Sequence, residues 1–160
     1  MIFNSSIGRI FLRSTEKGLT KLVLNPGPEY YPEGDQYHPI LISARQQLLE
    51  YLEGKLKKFK IPIDWKNATH FNKLVWKTLL RIPSGTTVSY TDIAEEIGSP
   101  KAVRAVGLAN RNNPIPIIIP CHRVIGKSGD LHGFVYGLEM KQKLLHIENP
   151  VQFPLQKALF

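Results

Sequence analysis

Three prolines within seven residues, Pro114, Pro116 and Pro120, limit what the stretch from Asn113 to Gly126 can become. Proline has no backbone donor and clashes with a preceding helical turn, so an α-helix is barred and a central strand disfavoured. The residues between them, Ile115, Ile117, Ile118 and Ile119, gain free energy only by leaving water. A stiff, buried, irregular segment is therefore predicted, and it delivers Cys121 and His122 at its end. A nucleophile on rigid backbone is pre-positioned for a single displacement. The thiolate is the reactive form of cysteine, and an imidazole nearby can take the thiol proton. Neighbouring side chains of an extended chain point to opposite faces, so Cys121 and His122 need a turn or a bridging water between them. A third group should orient the imidazole. Glu148, closing Leu144-Leu145-His146-Ile147-Glu148, is a candidate; a solvated carboxylate at a helix end would look the same.

Cys121 is the sole cysteine, which excludes an intramolecular disulfide and a cysteine-rich zinc site. The ordinary role of such a residue is that of a small buried hydrophobe. Net charge is +8 at pH 7, which favours polyanions as partners. Residues 1–65 carry nine Lys and Arg against seven Asp and Glu, whereas residues 66–160 carry twelve against six. From Ile97 to Lys127 there are Lys101, Arg104, Arg111, Arg123 and Lys127 and no acid. A basic surface around a candidate nucleophile, including Arg111 and Arg123, suggests a phosphate-bearing substrate. No apolar run is long enough to span a bilayer, and Met1 to Gly8 has no basic lead into an apolar stretch. A cytoplasmic protein is expected, or a nuclear one in a eukaryote, with no membrane partner.

An α+β organisation in two parts is predicted. Over residues 1–65, Gly8 to Leu12 and Leu19 to Leu24 read as strands, and Phe59, Ile61 and Ile63 alternate as a third. Between them, Ile42, Leu48, Leu49 and Leu52 give a helix from Pro39 to about Leu52, stopped by Gly54. Residues 66–160 read as mainly helical. Leu74, Val75, Leu79 and Leu80 form the stripe of a helix from Phe71 to about Ile82. Ser89 to Asp92 has the form of a capping box opening a second helix, which Gly98 ends. Ser99 and Pro100 look like the N-cap and first residue of a third, running to about Asn110. A last helix covers Leu138 to Glu148. Two short helices around a Gly-containing turn make a helix-turn-helix. The second of them places Arg104, Gly107, Leu108 and Arg111 on one face and is rich in small residues, among them Ala102, Ala105 and Ala109. Gly107 costs about 1 kcal/mol relative to alanine in a helix interior. Its reason is either close approach of another surface or tight packing inside, and the sequence favours neither.

Pro120-Cys121-His122-Arg123-Val124 resembles the active-site motif of the O6-alkylguanine-DNA alkyltransferases. Val88-Ser89-Tyr90, Arg104-Ala105-Val106-Gly107, Asn113-Pro114, Gly137-Leu138 and Leu144-Leu145 with Glu148 fall at that family's spacing, over about Phe71 to Glu148. Several motifs in register carry far more weight than any one. The resemblance implies that Cys121 takes an alkyl group from O6 of a guanine flipped out of duplex DNA, once and irreversibly, and O4-alkylthymine is a further candidate substrate. It implies that His122 deprotonates the thiol, Glu148 orients His122, Tyr90 helps rotate the nucleotide and donates a proton, and Arg104 fills the gap in the base stack. Asn113 joins the helix-turn-helix to the active-site segment. Ala105 and Gly107 belong to a helix that enters the minor groove of double-stranded DNA, and Tyr90, Phe134, Val135, Tyr136 and Lys141 line the pocket. No cofactor or metal and a monomeric state are expected. The family carries a tyrosine where this chain has Phe134 and a glycine where it has Tyr136, a difference that bears on the entry of large O6 adducts. Two other readings stay open: a damage sensor or regulator that binds without repairing, and a Cys-His hydrolase.

Overall fold

The computed structural model describes residues 1–131 and 133–155. The chain forms two compact units, one of Met1–Ala68 with Pro114–Ile118, the other of Thr69–Asn113 with Ile119 onward.

In the first unit, strands β1 (Ile2–Ser5), β2 (Gly8–Ser14) and β3 (Leu19–Leu24) form an antiparallel sheet in that order. β1 has no counterpart in the sequence reading, because four residues give too short an alternation to register a period. Helix α1 (Pro39–Leu52) has the predicted limits. Its buried face is Leu41, Ala44, Leu48 and Tyr51, at helical spacing, while Ile42 points to solvent. Burying a leucine fully is worth roughly 1.5–3 kcal/mol, so Leu41 and Leu48 anchor the helix. The expected strand at 59–63 does not form. Only Ile63 bridges to Leu19, through Leu19 N–H to the Pro62 carbonyl and Asp64 N–H to the Leu19 carbonyl; Pro62 can donate nothing to extend the pairing. Pro114–Ile118, late in the sequence, belongs to this unit, where the Leu22 N–H donates to the Pro114 carbonyl at 2.9 Å. The segment is buried and irregular as predicted, and Ile117 takes a left-handed φ of +74°. That conformation is unfavourable for a β-branched residue and persists only where the surroundings impose it.

In the second unit, α2 (His70–Leu79) is capped by the Thr69 hydroxyl and buries Val75, Trp76 and Leu79. Leu74 and Leu80, expected in its apolar stripe, are exposed. The predicted capping box is present at the start of α3 (Tyr90–Glu96), with Ser89 accepting from the Asp92 N–H and Asp92 accepting from the Ser89 N–H. Helix α4 (Val103–Arg111) starts later than Ser99-Pro100 suggested. The Ser99 N–H is taken by the Ala94 carbonyl and its own carbonyl closes a turn onto Ala102, so Ser99 serves the connection and not the cap. The Trp76 indole N–H donates to the Ala109 carbonyl at 2.8 Å and pins α4 to α2. β4 (Val88–Ser89) pairs in parallel with β5 (Val124–Ile125), and α5 (Leu138–Glu148) has the predicted limits. Among the described residues no helix is long and apolar enough to cross a membrane.

Candidate active site

The turn required between Cys121 and His122 exists: Cys121–Arg123 is a single turn of 3-10 helix between Pro120 and β5. The Val124 N–H closes it onto the Cys121 carbonyl, and three further bonds hold it. The Cys121 N–H reaches the Ile119 carbonyl at 2.8 Å, the Arg123 N–H reaches the Pro120 carbonyl at 3.0 Å, and the Asn110 amide donates to the Cys121 carbonyl at 3.3 Å. Asn113 donates to the Ile119 carbonyl at 2.7 Å and hydrogen-bonds the Cys121 side chain.

His122 is completely buried, and its Nε2 lies 2.6 Å from Glu148 Oε2. Glu148 is an acceptor of four bonds. Oε2 also takes Arg123 Nη2 at 3.0 Å, and Oε1 takes Arg123 Nε at 2.9 Å and the Gly85 N–H at 3.2 Å. Arg123 completes its own set by donating from Nη1 to the Ile82 carbonyl at 2.7 Å. The bidentate fork is the geometry in which arginine holds a carboxylate most firmly. Asn149 donates to the Gly85 carbonyl at 3.2 Å and steadies the Gly85 end of the cluster.

Arg123 therefore departs from its expected place on the DNA-facing surface: it is 6% exposed and its guanidinium is committed inside. The sequence carried a hint, since Arg123 stands between the apolar run ending in Ile119 and the pair Val124-Ile125, where a charge needs a partner. Asn110 and Gly85 also join the cluster, and nothing in sequence spacing marks them. Arg104 and Arg111 are exposed on the outer face of α4 with Leu108, as their spacing predicted. Gly107 lies beside them, and a Cβ there would meet nothing nearer than Tyr90 Cδ1 at 4.0 Å. Interior packing thus does not require glycine at this position.

Burial pushes the Cys121 thiol up to about 11, against the opposing pulls of the Asn113 hydrogen bond and then the Lys141 charge. Cys121 is 4% exposed, and its thiol is protonated at pH 7. Burial would also raise Glu148, but hydrogen bonds and charges from His122 and Arg123 outweigh it and hold the carboxyl well below the usual range. Burial lowers His122, in opposition to Glu148, so the ring is neutral at pH 7. An ionised Glu148 can only accept, which puts the His122 proton on Nε2 and leaves Nδ1 as the basic nitrogen. Tyr90, half-buried at the start of α3, is raised by burial and then by Cys121 when that thiol ionises, so it is a proton donor at pH 7. Phe134 and Tyr136 pack edge to face with centroids 5.9 Å apart, and Val135 is exposed. Among the described residues no group of His, Cys, Asp and Glu is placed to hold a metal ion.

A buried thiol set among an imidazole–carboxylate pair, a phenol and a helix-turn-helix defines a DNA-associated protein with a cysteine nucleophile. Comparison with known proteins narrows the class. Residues 70–150 match the family described as 6-O-methylguanine DNA methyltransferase, DNA binding domain, and residues 1–65 match its ribonuclease-like domain. A methylated-DNA–protein-cysteine methyltransferase of Methanosarcina acetivorans is 44% identical over 153 residues, covering 92% of this chain and 96% of the relative. The constitutive methylated-DNA–protein-cysteine methyltransferase of Bacillus subtilis is 52% identical over 111 residues, 69% of this chain and 67% of the relative. A crystal structure of Mycobacterium tuberculosis OGT in complex with DNA superposes with a TM-score of 0.80 at 42% identity, covering 92% of this chain and 90% of that one. The chain belongs to the 6-O-methylguanine DNA methyltransferase family.

Proposed function

We infer that this protein repairs DNA by moving the alkyl group from O6 of an alkylated guanine in duplex DNA onto Cys121, once per molecule. The observation that carries this is the buried Cys121 turn backed by the His122–Glu148–Arg123 cluster. At pH 7 a thiol with a pKa of about 11 costs about 5 kcal/mol to ionise, so the proton is best removed as substrate arrives. In this reading His122 Nδ1 takes the thiol proton, directly or through a water. Sγ then forms a bond to the alkyl carbon while the carbon–O6 bond breaks and its electron pair stays on the guanine. Tyr90, protonated and close to Cys121, supplies the proton or hydrogen bond the leaving base needs. Glu148, kept ionised by Arg123, stabilises the imidazolium that forms. The product is a neutral thioether with no leaving path, which makes the event single.

DNA engages the outer face of α4. The minor groove of B-DNA is ~6 Å wide and a helix with side chains ~10–12 Å across, so the small residues Ala105 and Gly107 suit that entry. A Cβ at Gly107 would meet only the Tyr90 ring, at an unstrained 4.0 Å, so internal crowding does not account for the glycine, which supports this placement. Arg104 fills the place of the flipped base, which offsets an unstacking cost of a few kcal/mol, and Arg111 meets a phosphate. The protein acts as a monomer where the genome is, in the cytoplasm or a nucleus.

Mass spectrometry after incubation with duplex DNA containing O6-methylguanine tests the reading. One methyl per molecule, on the peptide of Cys121, is expected, with none after Cys121→Ser. Tight binding of the damaged duplex with Cys121 unmodified would point to a sensor and overturn it, as would repeated turnover.

A further inference from the structure

Glu148 is the last residue of α5, and the chain does not run on freely from it. Asn149 closes the helix with its N–H on the Leu145 carbonyl at 2.9 Å, and the Phe153 N–H returns to the Asn149 carbonyl at 3.0 Å. The Asn149 side-chain amide is used in full. Its Oδ1 accepts from the Gln152 N–H at 3.1 Å, while Nδ2 donates to Gln152 Oε1 at 3.3 Å and to the Gly85 carbonyl at 3.2 Å. Turning the amide over would set donor against donor at the Gln152 N–H and acceptor against acceptor at the Gly85 carbonyl, so the network fixes which end is which.

Gly85, which this amide reaches, also serves Glu148. Its N–H donates to Glu148 Oε1 at 3.2 Å. One glycine is therefore gripped twice by consecutive residues, at its nitrogen by the carboxylate and at its carbonyl by the carboxamide. It lies in a turn closed by the Thr86 N–H on the Pro83 carbonyl at 3.3 Å, at φ +83°, where a side chain would be strained. The same short stretch gives the Ile82 carbonyl to Arg123 Nη1 at 2.7 Å. Residues 82–85 are thus a backbone seat for the Arg123–Glu148 pair, and Asn149 fastens that seat to the end of α5.

We propose that Asn149 is a positioning residue for alkyl transfer: by latching Gly85 it keeps the Gly85 N–H on Glu148, and so holds the His122 ring in line with Cys121. This rests on the alkyl-transfer reading above. The rival role is structural only: Asn149 would end α5 and open the turn to Phe153, and the site would not feel its loss. His146 braces that same turn by donating from Nδ1 to the Phe153 carbonyl at 2.8 Å. It is therefore the control that loosens the turn and leaves the latch on Gly85 in place.

The experiment compares the full chain with Asn149→Ala, Asn149→Asp and His146→Ala. In Asn149→Ala, exchange of the Gly85 amide should quicken about tenfold. The maximal single-turnover rate on duplex DNA containing O6-methylguanine should fall about tenfold, the scale of one hydrogen bond lost from an aligned site, with DNA affinity unchanged. Glu148, Arg123 and Lys141 are the charged groups that bear on His122, with the Cys121 thiol beside it in the chain. Of these, Glu148 alone loses a donor, and a carboxylate sharing its charge with fewer donors draws a proton onto the imidazole more strongly. The NMR titration of His122 and the acid limb of the rate should both move up by about half a pH unit. Asn149→Asp keeps an acceptor for the Gln152 N–H but has no donor for Gly85, so it should repair as slowly as Asn149→Ala. His146→Ala should leave rate and titration unaltered. An unchanged rate and titration in Asn149→Ala, or equal losses in His146→Ala, would overturn the proposal in favour of the structural role. Should Asn149→Ala fail to fold, Asn149→Asp decides, and unchanged Gly85 exchange and rate there overturn the proposal. If the unaltered chain repairs nothing, the alkyl-transfer reading falls on its own. The Gly85 exchange and His122 titration need no DNA, and they still decide whether Asn149 acts on the pair.

Discussion

The outer face of α4 and the interior behind the Cys121 turn are both supplied with cations, and they use them in opposite ways. On α4, Arg104 and Arg111 stand in solvent beside exposed Leu108, available to an outside polyanion. Behind the turn, Arg123 and Lys141 are buried and committed, one to a carboxylate and the Ile82 carbonyl, the other to three carbonyls. Exposed charge of the first kind is screened by salt and worth little to the fold. Buried charge of the second kind is tolerated only because each donor is matched, and losing one partner leaves the other stranded. A count of basic residues treats the two alike. The difference teaches that part of this chain's positive charge is internal scaffolding for a site and not a surface for DNA.

The largest effect that would break the comparison is on the interior side. Arg123→Met strands Glu148 and should lower stability by about 3–5 kcal/mol, the range for breaking a buried pair. Urea unfolding measures this, and a loss below 1 kcal/mol would mean that Arg123 is as dispensable as a surface residue. Acid is the next and gentler probe, because it leaves the cluster whole until it protonates. His122 and Glu148 both have folded pKa values below their unfolded ones. Each therefore contributes stability that is complete above its unfolded pKa and is lost as pH falls. His122 begins the loss below its ordinary value of 6.5, with Glu148 following below its ordinary 4.5. Urea midpoints measured from pH 8 down to pH 4 should decline through that window, and His122→Gln should remove the upper part of the decline. A flat profile would place both groups in solvent.

On the outer side the effects are smaller and fall on binding. Arg111→Ala should leave the unfolding midpoint unchanged and weaken DNA binding evenly across sequences. The slope of log K against log salt should drop by about 0.9, one phosphate contact. An unaltered slope would remove Arg111 from the interface. The smallest and sharpest case is Gly107→Ala. With nothing closer to the added methyl than Tyr90 Cδ1 at 4.0 Å, the change should stabilise the protein by up to about 1 kcal/mol through helix propensity. It should nonetheless weaken DNA binding, because the methyl meets the groove. Gain in stability without loss of binding would show that DNA does not approach α4 there.

Local patterns were legible in the sequence. The limits of α1 and α5, the Ser89–Asp92 capping box and the exposure of Arg104 and Arg111 follow from signals within a few residues of one another. Where a signal was short or had two uses, it misled. β1 is four residues long, the 59–63 alternation contains a proline that cannot pair, and Ser99 caps nothing because its backbone is taken by Ala94 and Ala102. The motif around Cys121 named the nucleophile and its neighbours, and the requirement for a turn between Cys121 and His122 followed from backbone geometry alone.

By itself the sequence determined a two-part α+β chain, a proline-stiffened segment ending in a lone cysteine, and a helix-turn-helix with an arginine face. These depend on propensity and periodicity, which act over short range. Only the tertiary structure decided that Arg123 turns inward to Glu148, that Lys141 ties together Val124, Leu131 and Gly133, and that the Cys121 thiol rests protonated. Those outcomes depend on which distant groups share a low-dielectric interior, and burial and partner choice are properties of the packed chain, absent from any stretch of it.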